Sequence, residues 1–394
     1  MVDFWKEKEN ITIKKLNKRK IIILSIIIIF IILMISFIIL YNTVPDFRNW
    51  TDKNILNKEV LQNTVATIDL ENENSKVCAF NKNIGVLNKN KFKIYNNSGV
   101  QDSVLDIEIV NPIFSSSNRF LAIAEKNGKK IYVIEDKKIA WEAEIEGEIS
   151  QVNINKNGYV SVVITGTSYK TVIDVFDNNG KELFKKFLSN TRLVDVSISN
   201  DNKFLAMAEI DTSGTVVQSN IKIISIEKAQ TDPINSMIKT YSGNLSDLII
   251  KIKYQNNNTL VCMYDNSIHI ISNDKDEELV NYNDKKIIAS SIELNNNIVN
   301  VIEQSSGLFT ADSIVNIVST DNKSLKTYTT DEVTKDIYTY ENIIALNLGS
   351  EVEFVNTDAW LVKRYISKQE ITNIVVSNSI AGIVCRDKVE IINL

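Results

Sequence analysis

Histidine occurs once in these 394 residues, and cysteine and proline three times each. A single His cannot supply the paired imidazoles of most zinc sites or the base of a second catalytic dyad. Three scattered Cys cannot build a disulfide framework. No Asp-x-Asp-x-Asp-Gly run is present, so a calcium loop of that type is excluded. With only 12 Gly, a collagenous or glycine-rich low-complexity chain is excluded as well. What remains is 44% hydrophobic and 24% charged, a globular composition with enough apolar side chains to bury a large core.

One stretch departs from that composition. From Ile21 to Leu40 the only polar residues are Ser25 and Ser36. At about 1.5 Å per residue this run spans roughly 30 Å, the thickness of a bilayer core. A cleavable leader is shorter and ends in small residues, whereas this run ends Ile39-Leu40-Tyr41-Asn42. It therefore predicts an uncleaved anchor over residues 21–41. Residues 1–20 hold seven basic side chains against three acidic ones, with Lys18-Arg19-Lys20 at the membrane edge. By the positive-inside bias the tail stays in the cytoplasm and the C-terminal region lies outside the cell membrane. Beyond the tail, 37 basic residues face 46 acidic ones, a formal −9 that suits nucleic acid poorly. Residues 42–58, with Pro45 and Trp50, read as a short stalk of some helical character.

Residues 59–394 repeat. A polar turn followed by a compact apolar strand recurs with starts at Ile84, Phe120, Tyr159, Phe204, Thr259, Ile298, Ile343 and Ile380. The intervals are 36, 39, 45, 55, 39, 45 and 37 residues, close to the period of a propeller blade. Each compact strand is followed by one rich in β-branched residues, such as Val172-Ile173-Asp174-Val175-Phe176. A turn then leads to an outer strand carrying one aromatic (Trp141, Phe184, Tyr241, Tyr282, Tyr328 or Tyr365). An alternating strand precedes each compact one, as in Val194-Asp195-Val196-Ser197-Ile198. Four strands per copy make a blade. The expected fold is all-β: a β-propeller of eight four-stranded blades, or seven if one copy is wrongly split. The last copy lacks its outer strand, and residues 59–69, with Val60, Val65 and Ile68, are expected to complete it. Pairing the two ends would leave no open edge.

Segments such as Ser199-Asn200-Asp201-Asn202-Lys203-Phe204-Leu205-Ala206-Met207-Ala208 resemble the strands of WD-repeat-like and quinoprotein-like propellers. Together with the basic tail and Ile-rich anchor, the chain is similar to a clostridial family of single-pass membrane proteins whose exterior domain is a propeller of unknown function. That resemblance implies a fold and an address but no reaction. The Asp-His-Ser-Trp network of WD repeats cannot form with one His. The tryptophan-docking signature and vicinal cysteines of quinone-dependent dehydrogenases are missing, so no cofactor is expected. The sialidase Ser-x-Asp-x-Gly-x-Thr-Trp box is missing too.

Among single residues, His269 lies mid-strand with no second His to share a metal, and reads as a packed or rim side chain. Cys78, Cys262 and Cys385 sit in apolar strands and read as small buried hydrophobes. A Cys78–Cys385 bridge across the closure is disfavoured by the different positions of their strands. Glu125, Glu209 and Glu303 follow equivalent strands and could form an acidic rim. Three loops between second and third strands are longer than the rest: 165–170, 210–220 and 304–313. They should emerge on one face, where a rigid scaffold concentrates binding residues. The candidate partner-binding residues are Tyr169, Glu209, Asp211, Ser213, Glu303, Ser306, Leu308 and Phe309. No catalytic or metal site is expected.

The preferred reading is a membrane-anchored extracytoplasmic scaffold or receptor for an envelope protein or cell-wall component, without chemistry of its own. A propeller hydrolase or lyase using loop-face carboxylates and a ligand sensor are the alternatives.

Overall fold

The structure, a computed structural model, describes residues 18–56, 66–72, 74–244, 247–282, 285–305 and 311–394. The chain divides into two compact units, Met1–Lys58 and Glu59–Leu394. In the first, helix α1 (Lys18–Thr43) contains one continuous apolar stretch, Ile22–Thr43, of 22 residues. At about 1.5 Å per residue that is roughly 33 Å, long enough to cross a bilayer. Helix α2 (Pro45–Asn54) follows after the single extended residue Val44.

The second unit is an eight-bladed β-propeller, built from eight four-stranded antiparallel sheets. Blades 1 to 7 comprise residues 76–106, 112–144, 148–188, 192–242, 249–281, 287–330 and 336–366. Blade 8 joins residues 373–393 to the strand Ala66–Asp69. Every repeat recognised in the sequence is one sheet, so the seven-bladed alternative falls. Within each of blades 1 to 7 the strands follow chain order, and the first strand of each blade is the innermost.

The repeat pattern follows from how blades stack. A second strand is buried on both faces, so it reads as a continuous apolar run. In blade 2, Leu121 and Ile123 pack toward blade 1 while Phe120, Ala122 and Ala124 pack toward blade 3. In blade 4, Leu205 and Met207 meet blade 3, and Ala206 and Ala208 meet blade 5. Each interface between neighbouring blades holds its own apolar cluster. The turns between first and second strands explain the Asn-rich punctuation. Asn118 (φ 53), Asn202 (φ 61) and Asn296 (φ 49) adopt the left-handed conformation there, which Asn tolerates better than most side chains. Gly180 needs its lack of a side chain twice over: φ is +80, and a Cβ would stand 2.7 Å from the Trp141 ring of blade 2.

Ring closure is antiparallel pairing of Ala66–Asp69 with the last strand, from Ala66 opposite Ile391 to Asp69 opposite Lys388. Ile68 is buried in the blade 8–blade 1 cluster with Val77, Ile84, Val389 and Ile391. Val60 and Val65, expected to belong to the same strand, lie outside the described residues.

Several carboxylates are buried within the propeller, among them Glu353 and Asp174. Glu353 is held by Arg364 Nε at 3.1 Å and by the Tyr328 hydroxyl, which donates to it at 2.9 Å. Asp174, on the third strand of blade 3, has Lys185 Nζ at 3.5 Å, and its Oδ1 accepts no hydrogen bond from any described residue. Burial, reinforced by the neighbouring Glu182, pushes the Asp174 carboxyl up to about 7.

Ile68→Ala should cost about 2–5 kcal/mol and lower the thermal unfolding midpoint of the detergent-solubilised chain; an unchanged transition would mean that closure does not limit stability. Asp174 gives a pH test. Its folded-state pKa lies above the unfolded value, so the folded chain binds the proton more tightly. Stability is greatest with the carboxyl neutral and is lost as pH rises through about 7. Asp174→Asn should therefore stabilise more at pH 8 than at pH 5, by on the order of 2 kcal/mol. Equal effects in thermal melts at the two pH values would refute this.

Candidate functional site

An innermost strand has one edge without a neighbouring strand, so its backbone groups need other partners. Side chains of adjacent blades provide them. Ser115 Oγ accepts from Ile154 N at 3.1 Å, Asp195 Oδ2 from Ile252 N at 2.9 Å, and Ser197 Oγ from Tyr254 N at 3.0 Å. Gln151 Nε2 donates to Val194 O at 2.8 Å. Register shifts account for part of this pattern. The inner strands of blades 3 to 6 each skip one residue against their partner, at Ser150, Val194, Ile250 and Ile288. Such a bulge re-aims the residue after it. Gln151, Asp195 and Lys251 each follow a bulge, and each reaches into the next blade.

Blades 5 and 6 are joined by charge. Lys251 Nζ lies 2.7 Å and Lys253 Nζ 3.0 Å from the Glu293 carboxylate. Burial pushes the Glu293 carboxyl up, but the pull of Lys253 and Lys251 overrides it and holds the group well below the usual carboxylate range. The Glu293 charge in turn raises the Lys251 ammonium. Asp195 is raised by burial, and the N–H groups of Ile252 and Val196 oppose the shift.

Two contacts cross the axis. The Tyr340 hydroxyl of blade 7 accepts from Asn118 N of blade 2 at 3.1 Å. Lys156 Nζ of blade 3 donates to Asn295 Oδ1 of blade 6 at 3.1 Å. Both lie where first strands turn into second strands, so they bar the channel at that end. Burial and the adjacent Glu341 push the Tyr340 phenol up to about 12. The contacts border a cavity of about 90 Å³, the space of about three waters. Lys156, Lys251 and Lys253 line it together with Asp195, Glu293 and Glu341. Equal numbers of opposite charges give this polar centre no strong preference for an anion or a cation. Its chemistry is that of a polar cross-link.

The opposite face carries the loops between second and third strands. Tyr169, 40% exposed, packs its ring 4.7 Å from that of Phe187, 48% exposed. On the neighbouring blade Asp211 accepts from Ser213 N at 2.9 Å, and its hydrogen bonds with Ser213 hold its carboxyl below the usual range. Lys170, on the loop of blade 3, adds to that shift. Val216 and Val217 are exposed on the same loop as Ser213. The structure thus places Tyr169 on one blade and Asp211 and Ser213 on the next, at the same end, and adds the exposed Phe187, Val216 and Val217. Phe187 could have been noticed in Phe184-Lys185-Lys186-Phe187-Leu188, where an extra aromatic breaks the alternation. Ser306, Leu308 and Phe309 lie outside the described residues.

The expected acidic rim does not form. Glu209 is fully buried, 2.7 Å from Lys222 Nζ and accepting from Thr191 Oγ1 at 2.6 Å. Its strand runs on to Asp211, so position 209 stays inside the ladder opposite Asn220. Glu303 is paired with Lys286, and Glu125 accepts from Val110 N at 3.3 Å. Each carboxylate finds its partner locally, although Glu209 Oε1 accepts no hydrogen bond from any described residue. His269 packs 5.1 Å from the Tyr264 ring, and its hydrogen bond with Asp276, at 2.9 Å, raises its pKa. The three cysteines are free and buried, and burial pushes each thiol up. Among the described residues no group of three or more His, Cys, Asp or Glu converges as metal ligands.

Solved structures of other proteins share this architecture. BamB from Moraxella catarrhalis superposes with a TM-score of 0.50 and 12% identity, over 84% of this chain and 99% of that one. Sqt1 from Chaetomium thermophilum, solved bound to the N-terminus of the ribosomal protein L10, gives 0.53 and 10%, again over 84% and 99%. At such identities the likeness establishes the propeller fold. None of the curated proteins compared with the chain matches it. A family model covers nearly the whole chain, residues 56–394, and on that match the protein belongs to the Family of unknown function (DUF5711).

Proposed function

We propose that this protein is a membrane-anchored binding scaffold or receptor. In this reading residues 21–41 cross the cell membrane and residues 1–20 form the cytoplasmic tail. Residues 42–58 join the anchor to an extracytoplasmic propeller, residues 59–394, that engages an envelope protein or a cell-wall component without chemistry of its own. Support for the anchor comes from the apolar run 22–40, whose side chains stay exposed. Orientation rests on the basic tail and the positive-inside bias.

The observation that carries the binding role is the loop face over blades 3 and 4. There Tyr169, Phe187, Val216 and Val217 expose apolar surface beside the polar Asp211 and Ser213. Rigid aromatics ringed by hydrogen-bonding groups are what a protein or glycan partner uses as anchors. Glu209 and Glu303, the strand-end carboxylates that a hydrolase or lyase would draw on, are instead tied to Lys222 and Lys286 within their own blades, so the scaffold reading is favoured over the enzymatic one.

The orientation is tested by a membrane-impermeant maleimide on intact cells. Because the three native cysteines are buried, Ser213→Cys should be labelled without permeabilisation while the wild type stays unlabelled; labelling only after permeabilisation would reverse the topology. The loop face is tested by a photo-crosslinking side chain at position 169 or, at the opposite end of the propeller, at position 321. Position 169 should give one discrete adduct in membranes and position 321 none. Identical patterns from both positions would refute a partner on this face.

A further inference from the structure

Helix α2 offers a second surface, and its geometry points to a lipid rather than a protein neighbour. Pro45 opens the helix, where a missing N–H and a fixed φ are tolerated. Only Val44, in an extended conformation (φ −114, ψ 103), separates it from α1. At this joint α2 turns back on α1. Three contacts fix the return: Phe47 meets Phe37 edge-on with centroids 5.4 Å apart, Tyr41 Oη donates to Asp52 Oδ1 at 2.7 Å, and the Arg48 guanidinium lies 5.1 Å from the Tyr41 ring centroid.

These contacts set a depth. Phe37 precedes Thr43 by six residues, about 9 Å along the helix axis. If α1 spans the bilayer, α2 is therefore held beside its last two turns, at the level where hydrocarbon gives way to headgroups. The helix is prepared for that setting. Thr51 is buried and donates to Phe47 O at 2.7 Å, and Asp52 is buried against Tyr41, with Arg48 Nε 3.6 Å away. Polar groups satisfied within the elbow avoid the cost of leaving them unpaired at low dielectric. Exposed apolar side chains stand on the helix and at its two ends: Trp50 is 54% exposed and stacks on Phe47 at 6.3 Å, and Val44, just before the helix, and Ile55 and Leu56, just after it, are exposed too. Tryptophan, an apolar ring with one N–H, favours this boundary over either bulk phase.

We propose that α2 is an interfacial helix, folded back onto the end of α1 so that Trp50, Ile55 and Leu56 insert at the headgroup–acyl boundary of the membrane. The stalk expected from the sequence is on this view an elbow that adds a second lipid contact to the anchor. The proposal rests on the membrane-anchor reading, and the test separates the two.

The full chain is reconstituted into phosphatidylcholine–phosphatidylglycerol vesicles containing brominated lipids, and tryptophan fluorescence is compared between the wild type and Trp50→Phe. Bromines close to the headgroup should quench the wild type more strongly than bromines at the bilayer centre. Trp50→Phe should lose most of that difference, since it leaves Trp5, Trp141 and Trp360 in place. Tyr41→Phe, which removes the bond to Asp52, should weaken the shallow quenching without releasing the chain from the vesicles. Quenching unaltered by Trp50→Phe in a chain that still floats with the vesicles overturns the interfacial helix and leaves the anchor standing. A chain that does not float overturns both.

Discussion

Four residues at one end of the propeller sequence hold it shut at the other. Ala66–Asp69 pair with the final strand, and their Ile68 enters the same apolar cluster as Ile84 of blade 1 and Ile391 of blade 8. Without that strand the last sheet would present an unpaired edge, and the contact between first and last blades would lose part of its apolar filling. Every other interface in the ring is made between blades consecutive in the chain. This one alone must be made between segments some three hundred residues apart, so the geometry of the remaining seven depends on it.

Much of this was readable beforehand because the stacking of sheets writes itself into the sequence. A strand pressed between two neighbours must be apolar on both sides, and Leu121-Ala122-Ile123-Ala124 and Leu205-Ala206-Met207-Ala208 show it directly, large residues toward one blade and alanines toward the other. The left-handed turns that precede them select Asn. Repetition then supplied the blade number. The axis was not readable in this way. Several of its latches depend on bulges at Ser150, Val194 and Ile250, which a strict two-residue alternation does not announce. Its cross-bridges join residues 222 and 139 positions apart.

The candidate site was legible in part. Loop length located Tyr169, Asp211 and Ser213 on adjacent blades, because loops that exceed the minimum for a hairpin stand out against a regular repeat. Glu209 was misplaced for a specific reason: its strand continues two residues further than those of most blades, so a position taken for a strand end is interior. Lys222 then neutralises a carboxylate that equivalence between blades would have put at the surface. The elbow of α1 and α2 escaped the sequence for yet another reason, since nothing in a ten-residue polar helix states whether it points away from its predecessor or folds back upon it.

The struts through the middle of the ring carry a mechanical consequence. Tyr340 with Asn118 and Lys156 with Asn295 tie together blades that stand three places apart around the circle. A toroid held only by contacts between neighbours can ovalise, each interface shearing a little. Spokes across the hub oppose that deformation at the end where they lie and leave the other end freer. The propeller is thus braced at its floor and less constrained at its lip, and the lip is where Tyr169 and Phe187 sit.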